Sequence, residues 1–208
     1  MTLLYLIRHA RSTWNAESRM QGQADPPLDE LGQRQAQALA THLRSHTFDA
    51  IYSSPLARAR LTAEIVATSH NLSVRLDPRL MERHLGDWTG LTGDEVDEWL
   101  AAKPDHNWRR DGPPGGESSA AVAARAVAAF AGIVAAHPEG TVAVFSHGGL
   151  LKAYFFHLLG IPIERPISFN LENTAFTRLS VRGEHVHLFS LSETGHLNGL
   201  RLSDPGAA

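Results

Sequence analysis

Leu3-Leu4-Tyr5-Leu6-Ile7-Arg8-His9 and Thr141-Val142-Ala143-Val144-Phe145-Ser146-His147-Gly148-Gly149 share one pattern, an apolar run that ends in a histidine. Runs without polar alternation suit strands buried on both faces of a parallel sheet. Around them, strand and helix patterns alternate. Ala36, Leu39, Ala40 and Leu43 repeat at helical spacing behind Asp29, a good N-cap. Residues 50–53 read as a short strand. Residues 56–69 read as a helix with Leu61, Ile65 and Val66 inward, and 74–76 as another strand. Thr92 caps a short helix carrying Val96, Trp99 and Leu100. Residues 103–117, with Gly112-Pro113-Pro114-Gly115-Gly116, read as a loop. A long helix follows Ser118 or Ser119, with Ala123, Ala126, Val127, Phe130, Ile133 and Val134 as its apolar stripe. Residues 148–159 read as a helix, 174–181 and 185–191 as a hairpin turned at Gly183, and 204–208 as a frayed tail. The alternation predicts a three-layer α/β/α sandwich with a mostly parallel central sheet. One domain spans 1–208, with a variable, lid-like insertion at about 83–117.

Composition narrows the chemistry. The 208 residues are 43% hydrophobic and 20% charged, with a formal net charge of -3, so nothing favours nucleic acid or an acidic membrane as a partner. With no cysteine, a disulfide framework, a thiolate metal site and a cysteine nucleophile are excluded. The apolar stretch 150–163 is interrupted by Lys152 and His157, which argues against a bilayer span. The expected location is the cytoplasm.

Ligands of open α/β sheets bind beyond the carboxyl ends of the strands. If the two histidine-ended strands are neighbours, His9 and His147 meet there. Arg8 lies beside His9, and Arg58 falls in the first turn of the helix after the strand at 50–53. Gly148 opens a helix whose N–H groups and dipole attract anions. Two arginines, two histidines and a helix N-terminus suit a dianionic phosphate. A neutral His9 can attack phosphorus, and the surrounding cations neutralise the transferring oxygens. Glu82, in Leu80-Met81-Glu82-Arg83-His84-Leu85-Gly86-Asp87-Trp88, is the candidate proton donor to the leaving alkoxide.

These segments resemble the histidine phosphatase superfamily, in its cofactor-dependent phosphoglycerate mutase-like branch. The matching pieces are Leu6-Ile7-Arg8-His9-Ala10-Arg11-Ser12-Thr13-Trp14-Asn15, Met20-Gln21-Gly22 with Asp25-Pro26-Pro27-Leu28, Ser53 to Ala63 around Arg58, Glu82 with Gly86-Asp87-Trp88, Gly116-Glu117-Ser118, and Ser146-His147-Gly148-Gly149. The resemblance implies a phosphoglycerate mutase-like fold and a phosphohistidine on His9. It implies that Arg8, Asn15, Arg58 and His147 hold the phosphate and that Glu82 donates a proton and later activates water. Gln21 and Gly22 line the substrate side, and the resemblance selects Arg58 over Arg60. A homodimer is expected on the same ground. Two positions depart from the family pattern: Ala10 stands where glycine is usual, and Arg11 where an acidic residue or glutamine is common.

The expected activity is hydrolysis of a small phosphate ester without metal or cofactor. Some thirty residues separate Glu82 from Gly116, and the stretch after Leu202 is short, which favours water access. The alternative is a phosphoglycerate mutase primed by 2,3-bisphosphoglycerate. A metal hydrolase built on His9, His147 and Glu82 is opposed by the flanking arginines, and a non-catalytic phosphate-ester binding module by the full set of reactive groups. Arg11, Arg83 and His84 are further candidates for reading anionic groups on a substrate. Arg60 is expected to pair with Glu64, and Glu117 to sit in the first turn of the long helix. Trp14, Met20 and Trp88 are candidate pocket walls or packing residues; Asn173-Thr174 precede a strand and either reach the site or, the favoured reading, make a turn. His42, His46, His70, His106, His137, His185, His187 and His196 are read as surface residues.

Overall fold

The computed structural model describes residues 1–162, 165 and 167–200; the frayed tail expected at 204–208 and the stretch after Leu202 lie outside them. Six strands form one sheet: β1 Thr2–Arg8, β2 Ala50–Ser53, β3 Val74–Leu76, β4 Thr141–Ser146, β5 Phe176–Arg182 and β6 His185–Glu193. Their order is β3-β2-β4-β1-β5-β6. The first four are mutually parallel, whereas β5 and β6 run antiparallel.

The seven α-helices among the described residues are α1 Thr13–Ala16, α2 Glu30–Leu43, α3 Ala57–Thr68, α4 Gly93–Ala101, α5 Trp108–Asp111, α6 Ser119–Ala136 and α7 Gly148–Leu158. Side-chain alternation along each strand divides the core into the two outer layers of the sandwich. Leu4, Leu6, Val142 and Val144 pack against α6 and α7 through Ala126, Phe130, Leu150 and Tyr154. Tyr5, Ile7, Ala143 and Phe145 point the other way, against Leu39 and Leu43 of α2 and Ala63 and Val66 of α3. The uninterrupted apolar runs of β1 and β4 are therefore needed on both faces. Each large side chain so buried contributes about 1.5–3 kcal/mol.

The register decides where the site lies. Ile7 pairs with Phe145 and Arg8 with Ser146, so His9 and His147 leave adjacent strands at the same level.

Several sequence expectations need correction. The buried face of α3 is Arg58, Ala59, Thr62, Ala63, Val66 and Ala67, with Leu61 and Ile65 only half-buried. The helix is rolled because Arg58 and Thr62 serve the site. On α6 the deepest stripe is Val122, Ala126, Ala129, Phe130 and Ile133, while Ala123, Val127 and Val134 pack at its margin. Residues 103–117 are not all loop, since Asn107 accepts the Arg109 and Arg110 N–H groups and caps α5. Glu117 precedes the Ser118 N-cap, outside the first turn of α6. The hairpin begins at Phe176, because Thr174 takes a φ of 62° that no strand continues. The helix α1 was not expected; Ser12 and Asn15 form its capping box. By length and composition α6 could cross a bilayer; here one face is packed on the sheet.

Candidate active site

His9 follows β1 directly and is 3% exposed. Its Nδ1 lies 2.7 Å from Ala10 O, which assigns the proton to Nδ1 and the lone pair to Nε2. Arg58 Nε donates to that Nε2 at 3.3 Å. Burial, then the charges of Arg58 and Arg8, hold the His9 pKa well below the usual histidine value, against the opposing hydrogen bond to Ala10. The ring is neutral at pH 7, as a nucleophile must be.

Arg58 is fixed from its far end. Its Nη1 donates to Ala24 O at 2.7 Å and its Nη2 to Gly22 O at 2.8 Å, with Asp25 3.9 Å away. Burial lowers its pKa to about 10, opposed by Glu82 and Asp25, so it keeps its charge at neutral pH. Gly22 thus supplies a carbonyl to Arg58, from a φ of 50° that favours glycine. Arg8 Nη1 donates to Leu171 O.

The His147 ring centroid lies 5.1 Å from that of His9. Its Nε2 meets Ser54 Oγ at 2.8 Å, and its Nδ1 is buried without a protein partner. Burial first, then Arg58, His9 and Arg8, lower its pKa well below the usual value. Asn15 Oδ1 accepts from Ser12 N and Asn173 Nδ2, which turns its amide NH2 away from those donors. Gln21 is buried and accepts from Ser12 Oγ at 2.8 Å.

The N-terminus of α7 is occupied from within the chain. Glu82 accepts the Gly149 N–H at 2.9 Å and the Leu150 N–H at 3.0 Å, besides its neighbour Arg83 N–H at 2.8 Å. Of the three amides that open α7, Gly148 is the one this carboxylate leaves to an external anion. A carboxylate is what a helix N-terminus stabilises, and here it anchors the candidate acid beside His147.

Beyond Gly149 lies a cavity of about 290 Å³ lined by Arg83, Trp108, Arg109, Lys152, Phe156 and Ile167, among others. Arg83 is 8% exposed; Nε donates to Glu117 O, and Nη2 is buried without a protein partner. Burial and then Arg8 lower the Lys152 pKa, with Glu82 opposing. Glu117 bridges Arg125 and the His84 N–H. Burial pushes its pKa up, but those hydrogen bonds and the charges of Arg125 and Arg83 outweigh this and lower it.

Other candidates lie elsewhere. Arg11 pairs with Asp29 at 2.7 Å, which employs its guanidinium in holding α2. Arg60 pairs with Glu64 as expected. Trp88 is buried against Trp99, His106 and Trp108, a packing role. Among the histidines read as surface residues, His46, His70, His106, His137 and His196 are half-buried, because their rings pack on aromatic neighbours. Asn173 reaches the site, the less favoured of its two expected roles: its Nδ2 donates to His9 O at 2.9 Å. No spacing pattern signals that contact.

Among the described residues no three His, Asp or Glu side chains gather at metal-ligand spacing. His9 Nε2 faces the Arg58 guanidinium, a cation that opposes a divalent metal at that atom.

The model of the histidine phosphatase superfamily, branch 1, matches residues 4–194. The chain belongs to the histidine phosphatase superfamily. It is 36% identical over 204 residues to phosphoserine phosphatase 1 of Hydrogenobacter thermophilus, covering 95% of each chain. It is 40% identical over 191 residues to the glucosyl-3-phosphoglycerate phosphatase of Mycobacterium tuberculosis, covering 85% of this chain and 84% of that one. The structure of Bacillus stearothermophilus YhfR superposes with a TM-score of 0.86 at 35% identity, over 95% of this chain and 100% of that one. This member of the superfamily is accordingly a phosphoric monoester hydrolase, and the mutase alternative is the less favoured one.

Proposed function

We propose that this phosphatase works through a phosphohistidine on His9. The carrying observation is that a neutral His9, Arg8, Arg58 and His147 converge at the strand ends, with Glu82 anchored on the first amides of α7. His9 Nε2 attacks phosphorus, and the bond from phosphorus to the ester oxygen breaks. Glu82, protonated on Oε2 in place of its hydrogen bond from Gly149 while Oε1 keeps the Leu150 and Arg83 N–H groups, gives that oxygen its proton. Glu82 then takes a proton from water, whose oxygen attacks phosphorus and frees Nε2 and inorganic phosphate. Arg8, Arg58, His147 Nδ1, the Asn15 amide and the Gly148 N–H hold the phosphoryl oxygens. The reading needs no metal and no cofactor.

The substrate we favour is a small phosphate ester whose alcohol part carries a second negative charge. Arg83, Arg109 and Lys152 line the cavity beyond Gly149, the residue whose N–H Glu82 accepts, and there we place the alcohol part. Relatives named for phosphoserine and glucosyl-3-phosphoglycerate support this class. Its setting in this reading is the cytoplasm, and a second copy of the chain is the expected partner; light scattering at micromolar concentration tests the dimer.

The functional test is turnover of p-nitrophenyl phosphate in excess chelator. Turnover is expected to persist, to leave an acid-labile phosphoenzyme after rapid quenching, and to vanish with His9→Ala. Activity lost to chelator and restored by metal would overturn the reading. Incubation with 3-phosphoglycerate, with and without 2,3-bisphosphoglycerate, tests the mutase alternative: phosphate release is expected, and rapid formation of 2-phosphoglycerate would reverse the choice.

A further inference from the structure

We infer that Asn173 is a positioning residue for the phosphoryl-transfer site, one that aims both the nucleophile and a phosphate ligand through a single carboxamide. The inference rests on His9 being the nucleophile.

On the β4 side, His9 is tied by its own N–H to Ser146 O at 2.9 Å. On the β5 side the sheet ladder has already ended. There the Asn173 Nδ2 donates to His9 O at 2.9 Å and reaches Asn15 Oδ1 at 3.4 Å. The next residue completes the clamp, since the Thr174 N–H lies 3.0 Å from Arg8 O and 3.3 Å from His9 O. A residue that only made a turn would spend its side chain on its own loop. Asn173 spends both amide hydrogens on residues of the site.

The backbone conformation supports this. Thr174 is fully buried with a φ of 62°, which a β-branched residue rarely adopts. Such outliers persist where the surroundings over-determine them, and they cluster at functional sites. Thr174 is held by its hydroxyl, which donates to Asn173 O at 2.6 Å and lies 2.9 Å from His196 Nε2. Burial lowers the His196 pKa to about 4, with His42 adding to it, so this anchor stays uncharged at neutral pH. His196, Thr174 and Asn173 thus form a chain that ends on His9 O.

The test is rapid-quench measurement of phosphohistidine formation from p-nitrophenyl phosphate, with rates expressed per folded molecule from circular dichroism. Asn173→Ala is expected to slow phosphohistidine formation by about 10²-fold, the cost of a small misplacement of reacting groups, with KM changed by no more than about threefold. Asn173→Asp has the same shape but faces two acceptor oxygens with a third acceptor. It is expected to lose at least as much at pH 8 and to recover towards pH 5, where its carboxyl gains a hydrogen to donate. A merely structural role would give no such profile. Rates per folded molecule within about threefold of the wild type in both variants, or an Asn173→Asp profile parallel to that of the wild type, would overturn the proposal. A wild-type enzyme that traps no acid-labile phosphate would fail the underlying reading instead.

Discussion

Gly149 shows how much of the site depends on a missing side chain. A Cβ there would overlap Glu82 Oε1, so Gly149→Ala has to push the carboxylate off the α7 amides. The expected result is an intact fold with kcat lowered by about 10²-fold, read by steady-state kinetics beside a melting curve. Ala10 behaves in the opposite way. Its φ is not positive, so the departure from the family glycine carries no backbone strain. Its methyl packs with Leu28 and Ala36. Ala10→Gly is expected to keep activity while losing about 1 kcal/mol of stability, seen as a lower Tm. A dead enzyme would mean that the methyl shapes the phosphate pocket. His9, His147 and Arg58 were legible in the sequence because each closes or follows a strand, and strands show in apolar runs. Asn173 was legible only as a residue before a strand that could reach the site, ranked below a turn, because it is tied to His9 by tertiary contact across most of the chain and by no periodic pattern.

At the scale of elements, the strands and α2 were readable because burial on a sheet leaves a periodic trace. Asp29 is the N-cap of α2, taking the Gly32 N–H at 2.7 Å on one oxygen and Arg11 Nε at 2.7 Å on the other. Asp29→Ala is expected to cost about 1–2 kcal/mol, measured by urea unfolding, because the cap is lost and Arg11 loses its partner. A change within about 0.5 kcal/mol would show that neither contact stabilises the fold. The face of α3 was misread for a physical reason. Hydrophobic periodicity assumes that a helix turns its most apolar side inward, whereas α3 turns Arg58 and Thr62 inward. Arg58 reaches His9, and the Thr62 hydroxyl takes the Ala10 N–H at 3.0 Å. A helix that serves a polar site departs from the pattern that identifies ordinary helices. The turn at α5 was missed because its cap, Asn107, lies in a stretch with no apolar stripe.

For the molecule as a whole, buried neutral histidines set a pH limit. His9 and His147 have pKa values well below 6.5 when folded, and that of His196 is about 4. Below about pH 6.5 the unfolded chain takes up protons on these rings and the folded chain does not. Stability therefore rises with pH through that window and levels off above it. The depressed carboxylates Asp77, Glu117 and Glu193 act only at lower pH, below their usual range near 4. Tm is expected to fall steadily from pH 7 to pH 5, before those carboxylates titrate. A Tm unchanged over that interval would refute the neutral state of the buried rings. The parallel pairing of β1 with β4 has one more consequence. His9 is made early in synthesis and His147 late, and neither end of the chain holds both. A nascent chain that has not yet reached Thr141 has no β4 on which to close the sheet. Cleavage of phosphate esters is therefore withheld until most of the protein has left the ribosome, and regain of activity after dilution from denaturant times the closing of the central strands.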